Sequence, residues 1–110
     1  MSLEKQIEFW LVSAERNWQT AQSLFELKHY DACLFYCHLT LEKLLKALVV
    51  EKTDKAAPFG HDLEKLSLLA GLKPAAEQID NLRTITTFNM SARYDEAKQS
   101  FYKKCTPEYT

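Results

Sequence analysis

The chain has 110 residues, 46% of them hydrophobic and 12% aromatic, which suits one compact core near the lower end of the domain size range. Its 14 basic and 15 acidic residues leave a formal net charge of −1, so no overall field draws it to nucleic acid or to an anionic membrane. There is no run of about 18 apolar residues, and the opening MSLEKQIEFW lacks the basic-then-apolar order of a secretory leader, which together predict a single cytoplasmic domain over 1–110 with no membrane contact.

Two glycines and three prolines supply little turn material, and the apolar spacing is helical nearly throughout, which predicts an all-α, up-and-down helical bundle. The first helix runs from Leu3 to Leu27, with Ile7, Trp10, Leu11, Ala14, Trp18, Ala21, Leu24 and Phe25 on one face at steps of three and four. Phe9 and Val12 fall off that stripe and suggest a second contact surface. A short link, Lys28 to Tyr30, makes the next helix antiparallel to the first. Asp31 is the expected cap of that second helix, which continues to Lys52 with apolar residues around most of its circumference, as a central helix requires.

The segment Thr53 to Gly60 reads as the one loop of any length. After it, Leu63, Leu66, Leu69 and Ala70 form a short third helix that Gly71 ends. Pro74 is expected in the first turn of a fourth helix, whose apolar face holds Ala75, Ile79, Leu82, Thr86 and Met90, with Arg93 on the same stripe. Ile85 and Phe88 lie away from that stripe and need a separate cover. Thr106, Pro107 and Glu108 spell a cap, a first-turn proline and an acidic first turn, so a final helix is expected to begin there and to be truncated.

Within HLTLEKLLKAL, residues 38–48, the ionisable residues His38, Glu42 and Lys46 stand four apart, so they stack in one column on a helix that is otherwise apolar, with Lys43 at its border. On spacing alone such a column is a solvated edge, and the alternative is the rim of a ligand or partner site. Cys33 and Cys37 face the core stripe while His38 faces the polar edge, so a metal site is not expected: a structural zinc needs about four converging ligands. Either His61 or Asp62 is expected to cap the third helix. Only Gly60 and Gly71 are present, so there is no glycine-rich phosphate loop, no serine elbow and no cofactor motif. Arg93, on an apolar stripe and followed by Tyr94, must meet a carboxylate such as Glu42 or Asp95, or project into an interface.

Four segments in order, Tyr30-Asp31-Ala32, Leu41-Glu42-Lys43-Leu44-Leu45-Lys46-Ala47-Leu48, His61-Asp62-Leu63-x-x-Leu66 and Ser91-Ala92-Arg93-Tyr94, resemble those of the HEPN (higher eukaryote and prokaryote nucleotide-binding) domain family. The resemblance spans nearly the whole chain. It implies four long helices plus one short helix, usually as a homodimer and often encoded beside a minimal nucleotidyltransferase in a toxin-antitoxin-like pair. It also implies that His38, Glu42, Lys43, Lys46, Arg93 and Tyr94 are ligand- or partner-binding candidates, with nucleotide as the ligand. Many members of the wider superfamily are ribonuclease toxins that use an arginine with a histidine about four to six residues later as the acid-base group. No histidine follows Arg83 or Arg93, and the first after Arg16 is the distant His29. The expected function is therefore a noncatalytic dimeric binding module, with a diverged ribonuclease or a bare dimerisation scaffold as alternatives.

Overall fold

The computed structural model describes residues 2–91 and 95–110, the side chains of 95–97 excepted. Five helices follow one another: α1 (Leu3–Glu26), α2 (Tyr30–Thr53), α3 (Leu63–Leu69), α4 (Ala76–Ser91) and α5 (Asp95–Lys104). The chain is all-α, a helical bundle whose short member is α3, and there is no strand among the described residues.

Ser2 caps α1 by accepting from the Lys5 backbone N–H. At the other end Lys28 adopts φ 65°, and the His29 and Lys28 N–H groups reach back to Leu24 and Phe25, a Schellman closure with lysine where glycine is usual. That tight reversal lays α2 antiparallel to α1. The expected Asp31 cap is corrected: α2 begins at Tyr30 with His29 in the cap position, and Asp31 sits in the first turn, where its charge meets the positive helix end.

Asp62 caps α3 by accepting from the Lys65 N–H at 3.2 Å. Gly71 ends it at φ 78°, where a Cβ would also come 3.0 Å from the Lys52 side chain. Pro74 lies just before α4 rather than in its first turn. Ala75 is the residue that precedes the helix, and its N–H is satisfied by the Gln78 side chain at 2.8 Å.

Among the helices described, α1 packs on α2 alone, while α3, α4 and α5 occupy the other flank of α2. Leu45 and Val49 of α2 pack with Leu63, Leu66 and Ala70 into one core cluster, and Leu34 packs with Phe88, Phe101 and Cys105 into a second. Ile85 touches both clusters. The separate cover expected for Phe88 is Phe101 of α5, which buries it, whereas the expected face of α4 is corrected at Met90, which is exposed. The cap signal at Thr106 is genuine, since its hydroxyl accepts from the Tyr109 N–H, and it opens a single turn after α5.

Candidate functional site

Two seams run along α2, and they have opposite chemistry. One holds His38, Glu42 and Lys46, which are 0%, 4% and 7% exposed. The solvated edge that spacing alone suggests is therefore corrected: the column is interior. Glu42 is its hub. One carboxylate oxygen accepts from Lys46 Nζ at 3.2 Å and the other from His61 Nδ1 at 2.6 Å. The Lys46 ammonium also lies 5.2 Å from the ring centre of Trp10 on α1, so its charge is met by a carboxylate and an aromatic face.

His61 thus leaves the capping of α3 to Asp62 and turns back over α2. Its carbonyl accepts from His38 Nε2 at 3.3 Å. A carbonyl can only accept, so the His38 proton sits on Nε2 and Nδ1 carries a bare lone pair, which is buried without a partner. Burial holds the His38 pKa below the ordinary value, outweighing the hydrogen bond to His61 and the nearby Glu42 charge, which act the other way. A neutral His38 fits that single-donor geometry. The His61 side chain is 52% exposed, so Glu42 fixes its Nδ1–H while the rest of the ring faces water.

Lys43 faces α1 instead of joining the column, and its Nζ donates to Ser13 Oγ at 2.6 Å. Burial depresses its pKa, offset in part by the Glu42 charge. Arg93 and Tyr94 lie outside the described residues. Cys33 and Cys105 are buried in the core, while Cys37 is only partly covered, which corrects its expected core-facing place; burial pushes Cys37 up to about 12 and Cys105 up to about 11, which leaves both un-ionised and poor nucleophiles at neutral pH.

The second seam is apolar and open. Leu44 and Leu48 are exposed on α2, about 200° round the helix from Glu42 and Lys46 respectively. Beside them Leu11 and Trp18 are exposed on α1, which corrects their expected place on a buried stripe. Only Ala14 and Ala21 of that stripe are fully buried, because the close approach of α1 to α2 admits small residues and spreads the larger ones to its edges. A groove of about 620 Å³ runs between the two helices, lined by Leu11, Ala14, Trp18, Cys37, Leu41 and Leu44. Leu41 also lines a second groove of about 450 Å³ toward Leu72 and Leu82. The apolar breadth of α2 was legible in the sequence. Which part of it would stay uncovered was not, because that depends on where α3 and α4 pack.

No helix among the described residues is long and apolar enough to cross a membrane. A family model described as HEPN domain matches residues 7–109. No curated protein and no solved structure gives a match.

Proposed function

Because the chain belongs to the HEPN domain family, we propose that it is a noncatalytic binding module that acts as a homodimer and partners a minimal nucleotidyltransferase in the cytoplasm. The observation that carries this reading is the open apolar seam, in which Leu44 and Leu48 of α2 lie exposed beside Leu11 and Trp18 of α1. A chain of this size gains little by leaving such side chains in water, and an exposed apolar strip rimmed by polar residues marks an association surface. A two-fold dimer that brings two seams together buries the same residues on both copies. The nucleotidyltransferase is supported by the family resemblance alone.

Nucleotide contact in this reading falls to Arg93 and Tyr94, since Lys43 is already held against Ser13 of α1, and Lys46 is engaged by Glu42 and Trp10 and steadies the site from within. Light scattering on the purified chain tests the dimer: twice the monomer mass is expected, and Leu44→Glu should give a folded monomer. Mixing with a nucleotidyltransferase encoded beside the gene tests the partner, and failure to co-elute would remove it.

One observation favours a second reading, a diverged ribonuclease. His38 is sealed from substrate, but His61 is half-exposed and held by a buried carboxylate, the arrangement that orients a general base. Cleavage of mixed RNA that disappears in His61→Ala would replace the binding-module reading.

A further inference from the structure

Threonine hydroxyls inside these helices share one use. Thr20, Thr40, Thr53 and Thr86 each donate to the carbonyl four residues back, at 2.7 to 3.0 Å. Ser13, in the middle of α1, is turned across the helix packing instead, and its half-buried Oγ lies 2.6 Å from Lys43 Nζ of α2. Burial holds the Lys43 pKa below the ordinary value, with the Lys46 charge acting in the same sense and the Glu42 charge against it. More of this amine is therefore free of its proton near neutrality than of a surface lysine. In the neutral amine the hydrogen bond reverses, and the Ser13 hydroxyl donates to the Nζ lone pair.

Ser13 also lines an open groove of about 440 Å³ on α1, whose apolar wall is Phe9 and Val12 and whose charges are Lys5 and Arg16 against the single carboxylate of Glu8. Two residues, or about 200°, separate Ser13 from Leu11 round α1, so the groove faces away from the proposed dimer seam.

We propose that Ser13 is a nucleophile activated by Lys43, and that it accepts the acyl group of a carboxylic ester whose own negative charge is met by Lys5 and Arg16. A serine hydroxyl is a weak nucleophile until a base stands within hydrogen-bond reach, and Lys43 stands there. Neutral Lys43 Nζ takes the hydroxyl proton as Oγ attacks the carbonyl carbon. The Oγ–C bond forms, the ester C–O bond breaks, and the departing oxygen keeps the electron pair and receives the proton from Lys43. Ser13 ends acylated and Lys43 ends neutral. The product is one acyl group per chain, a modification and not a turnover, and it goes beyond the binding-module reading without depending on it.

The test incubates the full chain with mono-p-nitrophenyl glutarate, an activated ester with a free carboxylate, and locates the adduct by intact mass and peptide mapping. One glutaryl group on Ser13 is expected, formed faster than on any other hydroxyl, and Ser13→Ala should abolish it. Lys43→Arg keeps a cationic donor beside Ser13 but cannot act as a base, so the Ser13 adduct should form at least about a hundredfold more slowly while the thermal midpoint stays near wild type. Arg16→Gln should slow the glutarate ester and leave the uncharged p-nitrophenyl acetate unchanged. The proposal is overturned by no adduct on Ser13, by an acyl group on Lys43 in its place, by a Lys43→Arg variant that reacts as wild type does, or by an Arg16→Gln variant unchanged toward the glutarate ester.

Discussion

Glu42 is the residue on which the interior polar cluster depends, because it is the shared acceptor of Lys46 and His61. Glu42→Ala leaves the Lys46 charge buried without its carboxylate and releases the loop at His61, so urea denaturation should show a loss of about 3–5 kcal/mol. Replacing both partners, Glu42→Leu with Lys46→Met, should recover most of that loss, since no buried charge is then left unpaired. His38 sets a pH dependence of definite sign. Its folded-state pKa lies below the ordinary value near 6.5, so below that pH the unfolded chain takes up a proton that the folded one refuses. This contribution is complete above about pH 6.5 and is lost as pH falls toward the lowered value. Denaturation midpoints at several pH values should decline over that acid range, and His38→Gln should flatten the decline. The column was visible in the sequence as a four-residue spacing. Its burial was not, because the group that covers it, His61, lies 19 residues from Glu42 and reads locally as a helix cap.

At the scale of the elements, α1, α2 and α3 each end at a positive-φ residue, Lys28, Asp54 and Gly71, and the first and last of these make opposite predictions. Lys28 at φ 65° carries a Cβ in a conformation that disfavours one, so Lys28→Gly should raise stability by up to about 1 kcal/mol, read as a higher thermal midpoint. Gly71 at φ 78° has no such freedom to spare. Gly71→Ala should cost about 1 kcal/mol or more, since the added Cβ is strained and the Lys52 side chain must also give way. Helices α1 to α3 were legible because their apolar residues recur at helical steps and α3 is bounded by Asp62 and Gly71, whereas the start of α2, with His29 in the cap position, carries no side-chain cap to read. The inward face of α4 was misread for a physical reason: α5 supplies Phe101 as a second cover, so Phe88 turns inward and Met90 outward. A helix packed from two sides has no single stripe for periodicity to find.

At the scale of the whole molecule, α2 divides the chain into a flank with α1 alone and a flank with α3, α4 and α5, and this division leaves the seam beside Leu44 open. The sequence predicted self-association from Phe9, Val12, Ile85 and Phe88. Ile85 and Phe88 are instead covered within the chain, while Phe9 and Val12 are exposed on α1, and the proposed association rests on the seam of Leu11, Trp18, Leu44 and Leu48. The most direct measurement is the solution mass of wild type and Leu44→Glu at tens of micromolar, by light scattering, with circular dichroism to show that both are folded. Wild type should have twice the mass of the 12.8 kDa chain, and a folded Leu44→Glu the single-chain mass. A monomeric wild type, or a Leu44→Glu variant that remains dimeric, would contradict it.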